Sequence, residues 1–126
     1  MSDPTISVHT RPAKTGRWSE AALRVLRERY LARQHGEVVE TPEEMCWRVA
    51  VAIAAAEARF GRSPAAQREI ATAFYEMLVD GFFLPNSPTL MNAGRPLGQL
   101  SACFVLPVED ALSNGKSGIY DTLKAM

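Results

Sequence analysis

The chain has 126 residues, 47% of them hydrophobic, and its 14 basic residues balance 14 acidic ones for a formal net charge of zero. That length suits one domain or a piece of one and allows a buried core, and the charge balance excludes a surface that attracts polyanions as a whole, so no nucleic-acid partner is expected. The longest apolar run, Val49 to Ala56, is far short of the ~20 residues that cross a bilayer, and Met1 to Thr10 has no apolar stretch flanked by basic residues, so a cytoplasmic protein with no membrane attachment is expected.

Residues 1–17 mix Pro, Thr, Gly and Lys without periodicity, the pattern of a flexible lead or extended arm. Arg11, Lys14, Arg17, Arg24, Arg27, Arg29 and Arg33 cluster early and suit a solvated helix face. Ser19 is placed to cap a first helix running to about Arg33, with Leu23, Leu26, Tyr30 and Leu31 on one face and Gly36 as its stop. Thr41-Pro42-Glu43-Glu44 is a stronger start, with Thr at the cap, Pro at the first helical position and a Glu able to reach back to the cap. From there Met45, Val49, Ile53 and Ala56 repeat at helical spacing toward Phe60, before Gly61. Ser63-Pro64 opens a third helix with Ile70, Phe74, Met77 and Leu78 inward and Gly81 closing it.

Residues 18–84 are thus predicted to form an N-terminal helical domain, a small bundle whose layer is plugged by Phe82-Phe83-Leu84-Pro85. The period then changes. Asn86 to Gln99 is predicted as loop and Leu100 to Val108 as a largely buried strand. After a loop containing Asn114-Gly115, a fourth helix begins near Ser117 and reaches Met126 with neither cap nor Gly behind it. One strand cannot satisfy its own backbone groups, so residues 85–126 are expected to be the truncated start of a larger α/β unit.

The two cysteines, Cys46 and Cys103, match no zinc spacing, and no metal site is predicted. Cys46 lies between Met45 and Trp47 and suits packing. His9 and His35 have no ligand partner at useful spacing and are assigned to the surface. A Walker-type phosphate loop, a dinucleotide fingerprint and a nucleophile elbow are all absent. The chemistry concentrates instead in Leu84-Pro85-Asn86-Ser87-Pro88-Thr89-Leu90-Met91-Asn92-Ala93-Gly94 and Leu100-Ser101-Ala102-Cys103-Phe104-Val105-Leu106-Pro107-Val108-Glu109-Asp110. Asn, Ser and Thr supply donors and acceptors while Pro and Gly shape the backbone, which suits a cradle for a polar substrate. Cys103 follows as either a small core hydrophobe or a held reactive thiol.

These two blocks resemble the start of the catalytic region of ribonucleotide reductases, most closely the adenosylcobalamin-dependent class. Arg29-Tyr30-Leu31, Glu40-Thr41-Pro42-Glu43 and Arg48-Val49-Ala50 resemble the helical region before that family's barrel, and Ile119 to Met126 resembles the helix after its first strand. The resemblance covers most of the chain from about Trp18 onward. It implies a mainly α fragment: an N-terminal helical bundle plus the first strand and the start of a helix of an α/β barrel. The implied reaction converts ribonucleotides to deoxyribonucleotides by radical chemistry. Cys103 maps onto the first redox-active cysteine, and Ser87, Ala102 and Cys103 map onto substrate contacts. Asn86, Thr89 and Asn92 map either onto substrate contacts or onto loop scaffolding. Asp110 is a neighbour of the effector site or a turn cap. The implied cofactor is adenosylcobalamin, bound mainly by residues outside this chain. The implied partners are a ribonucleotide substrate, a deoxynucleotide effector, a thioredoxin-like or glutaredoxin-like dithiol reductant and, at full length, a second copy in a homodimer. Two other assignments remain open on the residues alone: a metal-dependent reductase large subunit, and a helical interaction module without catalysis.

Overall fold

The computed structural model describes residues 10–126, so His9 and the first part of the predicted lead lie outside the described residues. Five α-helices and one hairpin follow in order: α1 Glu20–Arg29, β1 Arg33–Gln34, β2 Glu37–Val38, α2 Pro42–Ala54, α3 Pro64–Val79, α4 Ser87–Asn92 and α5 Ile119–Ala125. Among the described residues no helix is long and apolar enough to cross a membrane.

The helix starts follow their capping chemistry. The Ser19 side chain accepts from the Ala22 amide, and the Ser63 side chain accepts from the Ala66 amide. Thr41 and Glu44 form the full capping box: the Glu44 amide donates to Thr41 Oγ1 at 3.2 Å, and the Thr41 amide donates to the Glu44 carboxylate at 2.7 Å. The α2 hydrogen-bond pattern tightens into a 3₁₀ segment over Ala55–Phe60 before Gly61.

α1 is shorter than its sequence suggests. It stops at Arg29, the Leu31 amide reaches back to the Leu26 carbonyl, and the chain turns into a two-stranded antiparallel hairpin with Arg33 opposite Val38. Gly36 is therefore not a helix stop. With His35 at φ 51° and Gly36 at φ 88°, it forms the two-residue turn that such a tight hairpin requires.

The core is the α2–α3 pair. Ala54 and Ala71 are fully buried, and these small side chains let the helices approach closely. The Trp47 and Tyr75 rings meet edge to face at 5.8 Å and 87°, and the Arg68 guanidinium stands 5.7 Å from the Trp47 ring centroid. The inward face of α3 is Gln67, Ala71, Tyr75, Leu78 and Val79. Of the residues expected inward, Leu78 is buried, Ile70 is half-buried, and Phe74 and Met77 are exposed. The reason is that α2 covers only part of a wide apolar stripe. Phe74 and Met77 line a groove of about 310 Å³ with Val49, Ile53, Phe83 and Pro85. Phe82, Phe83 and Leu84 are likewise exposed rather than plugging the layer.

Residues 10–17 do not behave as a free lead. The Arg11 guanidinium donates to the Tyr75 hydroxyl at 2.8 Å, that hydroxyl donates to the Lys14 carbonyl at 2.5 Å, and Lys14 pairs with Asp80. The Trp18 indole N–H donates to Glu43 at 2.7 Å, and the Gly16 amide adds a second bond at 3.2 Å. Burial pushes Glu43 up, but these donors and the Arg11 charge outweigh it and leave the carboxyl below its ordinary value. Arg11 and Lys14 are thus arm anchors, not part of a solvated helix face.

The strand expected over Leu100 to Val108 is an irregular segment, because a lone strand has no ladder to join among the described residues. Phe104, Val105 and Val108 are exposed for the same reason. α5 does form where the fourth helix was expected.

Cys46 is buried as packing requires, and burial, with Glu43 and Glu40 nearby, pushes its thiol up to about 12. A raised folded-state value stabilises the fold below the thiol's ordinary value of about 8.5 and is lost as pH rises toward the folded value. We expect stability to fall above about pH 8.5 in urea titrations, and Cys46→Ala to remove the onset of that alkaline slope, leaving the part due to Tyr75 and Lys14 at higher pH, at a neutral-pH cost on the order of 1 kcal/mol. Trp47→Ala should cost about 3–5 kcal/mol in the same measurement.

Candidate functional site

The predicted loop from Asn86 contains a short helix, α4. Asn86 is its cap, its side chain accepting from the Thr89 amide at 2.9 Å, and Pro88 occupies the first turn. Ser87 opens α4 on the exposed side, where its hydroxyl lies 2.9 Å from the Tyr30 hydroxyl. Thr89 Oγ1 donates to the Leu100 carbonyl at 2.9 Å, and Asn92 Nδ2 donates to the Gln99 carbonyl at 2.9 Å. Asn86, Thr89 and Asn92 thus spend their side chains on scaffolding. Two of those bonds fasten the segment before Ala102 and Cys103 onto the helix that carries Ser87.

Ala102 and Cys103 themselves are exposed, and Cys103 is a free thiol. Asp110 is also exposed and stands apart in the loop before α5. The turn-cap role there falls to other residues. Asn114 Oδ1 accepts from the amides of Lys116, Ser117 and Gly118. The Asp121 carboxylate accepts from the amides of Asn114 and Gly115 and from the Ser113 hydroxyl, and these bonds hold it below its ordinary value. His35 is exposed in its hairpin turn. Among the described residues no three His, Cys, Asp or Glu side chains converge as metal ligands.

Beneath α4 lies an arrangement that the sequence reading missed. Arg48 projects from α2 and donates through Nε to Glu40 Oε1 at 2.7 Å and through Nη2 to Glu40 Oε2 at 3.0 Å, a bidentate pair. The same guanidinium donates to the Ala93 carbonyl at 2.5 Å and the Leu90 carbonyl at 3.1 Å, satisfying the C-terminal end of α4. Glu40 also accepts from the Ala32 amide at 2.9 Å. The Glu40 side chain is 8% exposed and that of Arg48 13%. Gly94, at φ 70°, lies so close that a Cβ there would meet Arg48 Cγ at 2.9 Å. Arg95 adds a second cation 3.6 Å from Glu40. Burial and the Arg48 charge hold its guanidinium below its ordinary value against the pull of Glu40. The available signal was an arginine between Trp47 and Val49 in an apolar stretch, since a charge at a core-facing position needs a partner.

Replacing Arg48 by Met should strand Glu40 and two carbonyls together. The expected loss is about 3–5 kcal/mol by chemical denaturation, with faster amide exchange over residues 89–100. Arg48→Lys keeps the charge without the fork and should recover less than half of that loss.

Residues 17–98 match the family described as ribonucleotide reductase, all-alpha domain. The chain is 47% identical over 97 residues to a vitamin B12-dependent ribonucleoside-diphosphate reductase of Mycobacterium tuberculosis, covering 76% of this chain and 14% of that protein. It is 34% identical over 157 residues to the protein of the same name from Thermoplasma acidophilum, covering 82% of this chain and 20% of that one. It is 39% identical over 102 residues to the ribonucleoside-diphosphate reductase large chain of Schizosaccharomyces pombe, covering 81% of this chain and 11% of that one. The chain therefore spans between 11 and 20% of the length of these relatives. The match over residues 17–98, most of the helical layer, makes this chain a member of the ribonucleotide reductase family carrying its all-alpha domain.

Proposed function

We propose that the chain supplies the N-terminal helical domain, residues 18–84, and the opening of the catalytic α/β barrel, residues 85–126, of a cobalamin-dependent ribonucleotide reductase. The substrate is a ribonucleoside diphosphate, and the product serves DNA synthesis. The observation that carries this reading is the pair of bonds from Thr89 and Asn92 to the Leu100 and Gln99 carbonyls, which ties the Ser87 helix to the segment leading into Cys103.

In this reading Ser87, Ala102 and Cys103 face the nucleotide. The Ser87 hydroxyl donates to a substrate oxygen. Once a radical stands at the 3′ carbon, the Cys103 thiol gives its proton to the 2′ hydroxyl, which leaves as water. Cys103 and a second cysteine outside this chain then join as a disulfide, and their two electrons reduce the sugar. A thioredoxin-like or glutaredoxin-like dithiol reopens the disulfide by exchange. A deoxynucleotide effector binds near the loop that holds Asp110, and the full-length protein is a cytoplasmic homodimer.

Adenosylcobalamin, when bound, supplies the radical through its carbon–cobalt bond. The described residues do not fit it. A groove of about 900 Å³ is lined by Arg11, Glu40 and Arg48, whose polar groups are already spent on Tyr75 and on one another, and the apolar groove of about 310 Å³ beside Phe74 and Phe83 is at the small end even of drug-sized pockets. The cofactor's seat belongs to residues outside this chain. Cobalamin dependence rests on the 47% identity to the Mycobacterium tuberculosis protein.

In the complete reductase, Cys103→Ser should abolish multiple turnover with dithiol reductants while nucleotide binding stays within about twofold, because serine forms no disulfide. Near-normal turnover by that variant would overturn the assignment. The 126-residue chain alone is expected to be inactive, and a cobalamin requirement of the complete enzyme separates this class from the metal-dependent one.

A further inference from the structure

Tyr30 closes α1 as its C-cap residue, and its ring packs against the core cluster. Its hydroxyl does not enter the core. It emerges beside α4, 2.9 Å from the hydroxyl of Ser87. The two residues are 57 positions apart, so only the tertiary fold brings them together. We propose that Tyr30 is a positioning residue for nucleotide binding, acting through the Ser87 hydroxyl. The inference rests on the assignment of Ser87 as a substrate contact.

The physical case has three parts. First, an exposed serine ordinarily samples its rotamers freely, and one bond from a fixed partner selects among them. The half-buried Tyr30 ring is a fixed partner because it packs against the core cluster. Second, a phenol is a better proton donor than an aliphatic alcohol. With Tyr30 donating to Ser87 Oγ, the serine proton is left to point at a substrate oxygen, whereas an isolated serine also presents its lone pairs there. Third, Ser87 rides on a helix that is already fixed at its other end, where Arg48 holds the Leu90 and Ala93 carbonyls. A bond at the Ser87 end therefore adjusts one hydroxyl without moving the backbone, which is how a supporting residue sharpens a binding site.

Tyr30 touches no substrate in this scheme. Its loss should weaken ground-state binding and leave the chemical step alone, so the effect falls on KM rather than kcat. The experiment is a double-mutant cycle in the complete reductase with cytidine diphosphate as probe: Tyr30→Phe, Ser87→Ala and both together. Tyr30→Phe keeps the ring and should leave the melting temperature unchanged. It should raise KM by about 3- to 10-fold, the effect of one neutral hydrogen bond, with kcat within about twofold. Ser87→Ala should raise KM at least as far, and the double variant should bind no worse than Ser87→Ala alone. If Ser87→Ala weakens binding while Tyr30→Phe does not, or if the two losses add, Tyr30 does not act through Ser87 and the inference fails by itself. If Ser87→Ala leaves KM unchanged, the substrate-contact assignment falls and takes this inference with it.

Discussion

The described residues depend on one buried ion pair. Glu40 and Arg48 sit where the hairpin, α2, α4 and the following turn converge, and few of their polar atoms reach water. A buried pair gains little net stability over an apolar substitute, because desolvating two charges offsets most of their attraction. Its value here is directional. The guanidinium offers donors in a fixed fork, and those donors reach the Glu40 carboxylate and two helix carbonyls at once. A leucine could fill the same volume, but it would leave α4 with two unsatisfied carbonyls and no reason to prefer one orientation. The pair thus converts the generic adhesion of an apolar helix layer into a specific seat for a six-residue helix too short to hold itself.

What the sequence disclosed, and what it did not, divides along physical lines. Helix starts were legible because capping is local: Ser19, Thr41 and Ser63 each make the bond expected of them. The end of α1 was not, since Gly36 signals a turn without saying whether helix or hairpin precedes it. The inward face of α3 was misassigned because its apolar stripe is wider than α2 can cover. The packing of Tyr75 against Trp47, not periodicity, decides which part is buried. Asn, Ser, Pro and Thr favour turns and predict a loop over α4, whose order comes from Arg48, far away in sequence.

The candidate site divides in the same way. The sequence shows a polar block ending at Gly94 and, nine residues after it, Cys103, but not the bonds from Thr89 and Asn92 that fasten the intervening segment to α4. Thr89 and Asn92 look equally suited to a ligand and to a backbone carbonyl, and only the fold shows that both go to carbonyls. Tyr30 gave no signal beyond its place on an apolar helical face. A loop of small polar residues does not reveal which carboxylate its amides will choose, and here they choose Asp121, not Asp110.

The corner from Pro107 to Met126 has a further consequence. Thr122 donates to the Pro107 and Ser117 carbonyls, the Ile119 amide bonds to Ala111, and Asn114 and Asp121 close the loop between. Apart from the Thr122–Pro107 bond, which spans 15 residues, these bonds join residues within eight positions of each other, so their loop-closure entropy is small. On the ribosome, where chains emerge from the N-terminus, such a corner takes shape as soon as its own residues are clear. The apolar segment from Phe104 to Val108 stays exposed, yet it is tied to α5 at one point, where the Thr122 hydroxyl holds the Pro107 carbonyl.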